Sequence, residues 1–263
     1  MVVMLDPDNQ SPPIRDAGTL VVVRPRPDGA PLLLMTERAA TMKFAGGAMV
    51  FPGGAVDEAD REFARSLGSA MAPEDLAARI AAIRETIEEC GLALTASAFA
   101  LSRDRADAVR RALREGEDFA SVAGAMGLAF DFDHLVPFAH WCPPARGVRK
   151  RFNTRFYVAV AGAGQEELVP DGQETARLGW YSARDILDRA DRGEAKIIFP
   201  TRCNLERLAR FDTVDALLDH ARTQPVRLIS PWIETRDGED HLCIPDDHGY
   251  PVTSRPLDEV SRS

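Results

Sequence analysis

The stretch from Pro73 to Cys90, PEDLAARIAAIRETIEEC, constrains this chain more than any other. Leu76, Ile80, Ile83 and Ile87 recur at spacings of four, three and four. At about 100° per residue they draw one apolar stripe about 60° wide, the pattern of a helix buried along one side. Proline in the first turn, acidic residues behind it and Gly91 as a stop mark both ends. On the same wheel Glu85, Glu88 and Glu89 fall about 100–160° from the stripe's centre, so the helix is expected to turn its carboxylates away from its isoleucines. Like charges three or four residues apart destabilise a helix by about 0.2–0.5 kcal/mol per pair. Either water screens them on a solvated acidic face, or a cation sits among them.

Upstream lies FPGGAVDEAD, residues 51 to 60. Proline with Gly53 and Gly54 makes a tight loop whose backbone can approach a ligand closely. Carboxylates opposite such a loop offer the hard oxygen donors that Mg²⁺ or Mn²⁺ takes, with positions left for water and phosphate.

The surrounding pattern alternates strands and helices, which predicts one layered α/β domain. TLVVVRP and PLLLMTER, separated by RPDGA, read as a β-hairpin, and GGAMVFPGG adds a short strand. Residues 103–128 read as one or two arginine-rich surface helices. HLVPFAHW and RFYVAVAG are strand candidates. LGWYSARDILDRADRGE passes from strand to helix with Ser182 as N-cap. NLERLARF and TVDALLDHART are short helices, and VRLISPWIE is a late strand.

The net charge of -9 over 263 residues argues against a nucleic-acid partner. No apolar run approaches the ~20 residues of a membrane span, and the amino terminus meets acid and proline too early for a secretory signal. Cys90, Cys142, Cys203 and Cys243 are too far apart for a zinc site or a disulfide scaffold, which predicts reduced thiols in a cytoplasmic protein. The oligomeric state stays open, a homodimer included.

Against this acidic background RGVRKRFNTRF gathers Arg146, Arg149, Lys150, Arg151 and Arg155. The island is either a solvated basic loop or a phosphate site, since the guanidinium fork fits phosphate. Arg151 and Arg155 share one face of a strand and are expected to bind substrate phosphates. Trp141, Phe152 and Trp180 read as core aromatics, with stacking on a base as the alternative. His134 and His140 read as structural.

Gly54 together with Arg84-Glu85-Thr86-Ile87-Glu88-Glu89-Cys90-Gly91-Leu92 resembles the signature of the Nudix hydrolases. That signature runs Gly, five residues, Glu, seven residues, then Arg-Glu-apolar-x-Glu-Glu-x-Gly-apolar. Here Thr86 takes an apolar position, Asp60 stands where the first glutamate belongs, and an insertion separates Asp60 from Arg84. The interrupted box, RFNTRFYVAV and FPTRCNLERLARF are similar to the coenzyme A diphosphatase branch related to Nudix motif 19 proteins. The likeness runs from about residue 18 to 232.

The resemblance implies an α/β/α sandwich around a mixed sheet. It implies a tail over 1–17, the hydrolase domain over 18–235 with insertions near 61–78 and 103–128, and an extension over 236–263. It also implies that Glu85 and Glu89 are the principal metal ligands, with Glu88 beside them and the Gly53 carbonyl as another donor. Arg84 would orient the glutamates, and Gly54 would lie against the substrate. Glu89 and Glu174 are both candidates for the base. The implied substrate is a small nucleotide, CoA or an acyl-CoA first, cleaved at its diphosphate. ADP-ribose, NADH or a dinucleoside polyphosphate is the alternative, and so is a Nudix-shaped binding module without catalysis.

Overall fold

The run TLVVV, Thr19 to Val23, is buried on both faces, a condition that only a central strand meets. It lies in β1 (Ile14–Arg26), where Leu20 and Val22 enter one core and Val21 and Val23 the other, all of them fully buried. The computed structural model describes residues 12–27, 29–42, 45–94, 99–144, 151–161 and 168–262. Strand β1 starts inside the stretch read as a loose tail, because its residues from Ile14 to Val23 pair in parallel with a distant strand, Ile14 with Arg151 and Val23 with Val160.

After β1 come β2 (Gly29–Arg38), β3 (Met49–Val50), β4 (Gly53–Ala55), α1 (Glu58–Ser66) and α2 (Pro73–Cys90). The insertion after them holds β5 (Leu92–Ala93), β6 (Phe99–Ala100), α3 (Arg103–Arg114) and α4 (Phe119–Ala125). The sheet resumes with β7 (Val136–Trp141), β8 (Arg151–Val160) and β9 (Thr175–Ser182), followed by α5 (Ala183–Asp191), α6 (Phe199–Leu208) and α7 (Val214–Thr223). The chain closes with β10 (Leu228–Ile229), β11 (Trp232–Arg236), β12 (Glu239–Cys243), β13 (Ser254–Pro256) and α8 (Leu257–Arg262).

The main sheet is mixed, in the order β10-β7-β8-β1-β2-β3, with β4 also on β1 and β9 also on β2. Helix α2 packs on one face with α3 and α4, while α5, α6 and α7 cover the other. This is the three-layer α/β arrangement expected. The register of β1 and β2 sets where helix meets sheet. Antiparallel β1 and β2 pair from Arg26↔Gly29 to Val23↔Leu33. Beyond that point they part, β4 pairing with β1 at Ala17–Thr19 and β3 with β2 at Thr36–Glu37. The Phe51-Pro52 link bridges this fork, and α2 crosses above it.

Three expectations change. Helix α2 is buried well beyond its apolar stripe: Arg79, Arg84 and Glu89 are buried along with its isoleucines, while Glu85 and Glu88 are half-buried. The insertion is not merely superficial, since Arg110 of α3 is 3% exposed and donates to the Glu88 carbonyl at 2.5 Å. VRLISPWIE splits at Ser230-Pro231, because proline cannot donate to a ladder; β10 then joins β7, and β11 starts a separate three-stranded sheet with β12 and β13. The Asp237-Gly238 turn of that sheet has φ of 51° and 86°, as a two-residue hairpin requires.

The four cysteines are buried free thiols. Among the described residues no helix is long and apolar enough to cross a membrane.

Candidate active site

The fork brings glycine against helix. Gly18 of β1 lies directly under α2, where an added Cβ would fall 1.8 Å from the Ala78 carbonyl oxygen. Its partner across β4 is Gly54, where a Cβ would fall 2.3 Å from the Glu85 carboxyl carbon. Two residues without side chains thus let the glutamates of α2 settle onto the loop. Gly91, at φ 69°, closes the helix by donating to the Ile87 carbonyl at 2.8 Å. Thr86 sits at the signature's apolar position fully buried, its hydroxyl answered by the Ala82 carbonyl at 2.7 Å.

Arg84 organises the acids. Its Nε and Nη2 donate to the two oxygens of Asp60 at 3.1 and 2.9 Å. Nη1 donates to Glu85 at 2.8 Å and to Glu88 at 3.0 Å, and Nη2 also reaches the Ala55 carbonyl at 3.0 Å. Asp60 is itself 1% exposed, and with Asp57 it forms the capping box of α1. Burial raises the Asp60 pKa although Arg84 opposes the shift. Burial alone would lower that of Arg84, but its carboxylate partners outweigh it and raise it. One guanidinium therefore hydrogen-bonds three carboxylates, with Asp57 a fourth at 3.7 Å, so acids outnumber the cation at this point.

Glu85 and Glu89 show the crowding in their upward pKa shifts. Burial pushes Glu85 up to about 7, with Arg84 opposing and Glu88 adding to the shift. Glu89, 5% exposed, has one hydrogen bond among the described residues, from the Gly53 N–H at 3.3 Å. Burial first, then the charge of Glu85, hold its pKa well above the usual carboxylate range, against the opposing charge of Arg38.

The structure brings Arg84, Glu85, Glu88, Glu89, Gly53 and Gly54 into one site. Glu174 joins them from the loop before β9: its side chain is exposed, its charge adds to the upward shift of Glu89, and its carbonyl accepts from Ala39 N at 2.7 Å. Arg151 and Arg155 share a face of β8, as their spacing requires. Arg151 donates to the Pro143 carbonyl at 3.1 Å, and Arg155 lies 3.7 Å from Asp16. Neither is joined to the glutamates by a hydrogen bond or ion pair among the described residues. Arg146, Arg149 and Lys150 lie outside those residues. Trp141 is core, donating to the Tyr250 hydroxyl at 3.1 Å. His140 is hydrogen-bonded to Asn153, and His134 forms a surface pair with Asp131.

Sequence reasoning missed Arg38 and Arg110 as neighbours of the site. No local signal marks either, because one acts from the end of β2 and the other from an inserted helix.

Among the described residues no three His, Cys, Asp or Glu side chains converge closely enough to hold an ion as they stand. The donor chemistry nevertheless fits a hard divalent cation. Glu85 and Glu89 offer only oxygen, they repel each other, and among the described residues Glu89 is buried with a single N–H partner.

Residues 61–208 match the family model described as the NUDT19 Nudix domain. A crystal structure of a NUDIX hydrolase from Alicyclobacillus acidocaldarius superposes with a TM-score of 0.69 at 31% identity, covering 80% of this chain and 97% of that one. A Caenorhabditis elegans protein provisionally named nudix hydrolase 7 is 27% identical, over 83% of this chain and 69% of its own. The acyl-coenzyme A diphosphatase NUDT19 of Gallus gallus is 25% identical, over 83% of this chain and 72% of its own.

Proposed function

This chain belongs to the Nudix hydrolase family and is a diphosphohydrolase, and from that premise we propose that it cleaves the diphosphate of CoA or an acyl-CoA. The products are 3′,5′-ADP and phosphopantetheine or its acyl derivative. The observation that carries the reading is the buried, charge-excessive glutamate cluster gripped by Arg84 at the glycine loop. The kinship with the Gallus gallus acyl-coenzyme A diphosphatase supports the choice of substrate.

Nudix hydrolases generally use a divalent metal. Here Glu85, Glu88 and Glu89 with the Gly53 carbonyl would hold Mg²⁺ or Mn²⁺, which when bound offsets diphosphate charge and acidifies water. Arg84 keeps Glu85 and Glu88 oriented, and Asp60 keeps Arg84 in place. Gly54 lets the phosphates approach the backbone. Glu89, or Glu174 from the facing loop, takes the proton of the attacking water. The water oxygen bonds to one phosphorus as the bridging P–O bond breaks, and the departing phosphate keeps that electron pair. Arg151 and Arg155 bind the 3′-phosphate of the adenosine. The Nη1 of Arg155, buried without a hydrogen-bond acceptor, is consistent with that role.

The test is hydrolysis of CoA, dephospho-CoA, ADP-ribose and NADH with Mg²⁺, with Mn²⁺ and with EDTA. The expected result is metal-dependent cleavage with CoA preferred over dephospho-CoA. Preference for ADP-ribose or NADH would overturn the substrate and keep the chemistry. Folded, metal-binding protein that cleaves none of them would favour the binding module.

A further inference from the structure

On the sheet face opposite the glutamates, a cavity of about 230 Å³ opens between β2, β3, β9 and the turn after α5. Its floor is apolar: Met35 and Met49 are 0% and 7% exposed. Its walls carry three cations, Arg177, Arg189 and Lys196. Among the described residues the side chains of Arg177 and Lys196 have no hydrogen bond or ion pair. Arg189 has the ring of Tyr181, 5.1 Å from its guanidinium carbon.

Two acids also line the cavity, Glu37 and Glu194. Glu194 already has a bidentate partner in Arg192, at 2.8 and 2.9 Å. Glu37 stands opposite Arg177 in the β2–β9 register. The lining therefore has more positive than negative charge, although the chain as a whole is at -9. The backbone of Lys196 is held at the cavity, because its carbonyl accepts from Met49 N at 2.7 Å and it bridges to Ala48. Gly47, at φ 73°, lines the cavity as well, with nothing among the described residues within 4 Å of where a Cβ would stand.

We propose that this cavity is a second anion site, separate from the glutamates, that takes a phosphate group. Two arginine forks and a lysine form the donor set that phosphate oxygens use. The volume lies below the ~300 Å³ at which pockets begin to enclose drug-sized ligands, so it suits one phosphate group rather than a whole nucleotide. The site does not depend on the reaction proposed above.

The test uses full-length protein with 13C-methyl methionine, titrated with inorganic phosphate in EDTA at ionic strength matched with sodium chloride. Met35 and Met49 are expected to shift saturably. Met71 and Met126, which pack on the other face, are expected to stay still. Arg177→Ala and Lys196→Ala should each weaken the binding at least tenfold and leave the Met71 and Met126 signals in place. Adenosine monophosphate separates the sources. Tighter binding with the same shifts identifies a phosphomonoester, and equal or weaker binding identifies the free ion. Shifts that chloride alone reproduces, that never saturate, or that survive both substitutions would overturn the site.

Discussion

Asp60 grips Arg84 through both carboxylate oxygens, at 3.1 and 2.9 Å, across 24 residues of sequence. The aspartate at the position of the signature's first glutamate anchors the arginine that orients Glu85 and Glu88. Its short side chain suffices because α1 caps itself on the same residue and brings the carboxylate close.

Removing one partner of a buried ion pair typically costs about 3–5 kcal/mol. Arg84 retains Glu85, Glu88 and the Ala55 carbonyl, so Asp60→Asn is expected to lose about 3 kcal/mol, the low end of that range. The measurement is a urea midpoint that falls with unchanged slope, accompanied by lower turnover. An unchanged midpoint would show that the clasp does not stabilise the fold.

Glu89→Gln should reduce turnover on the order of 10²–10⁴-fold, the usual contribution of a general base. In EDTA its melting temperature should hold or rise, because a neutral amide ends the repulsion with Glu85. Wild-type turnover would remove Glu89 from the mechanism. Glu174→Gln, assayed alongside, separates the two candidates for the base.

Gly18→Ala and Gly54→Ala should fail differently. The first drives a methyl onto the Ala78 backbone, which cannot yield, and is expected to cost about 3 kcal/mol or more. The second meets only the end of the Glu85 side chain, which can swing aside, so stability should largely survive while activity falls. Equal melting temperatures for the two variants would contradict this account.

His220 accepts from Nε and Nη2 of the buried Arg207 at 3.1 and 3.0 Å, which requires a neutral imidazole. Burial, then the charges of Arg207 and Arg210, hold its pKa below 6.5. As pH falls through 6.5 the unfolded chain takes the proton first, so this stability is complete above 6.5 and is lost below it, down to the folded pKa. Urea midpoints between about pH 8 and 5 should therefore fall more steeply in the wild type than in His220→Gln, which keeps an acceptor that does not titrate. Parallel profiles would refute the assignment.

The sequence by itself determined what is local. Its apolar spacing placed helix α2 from Pro73 to Cys90, the RPDGA turn joined β1 to β2, and Ser182 capped α5, because each depends on neighbours within a turn or a hairpin. The crowding of Glu85, Glu88 and Glu89 was visible for the same reason. The tertiary structure decided what those carboxylates face. Periodicity described α2 as one-sided, but tertiary packing buried Arg79, Arg84 and Glu89 of its polar side as well. Asp60 reaches Arg84, Arg110 holds the Glu88 carbonyl, and the charges of Arg38 and Glu174 bear on Glu89 only once the sheet has forked and the helix has crossed it. No spacing along the chain encodes those meetings. They follow from how closely Gly18 and Gly54 let the helix approach the sheet.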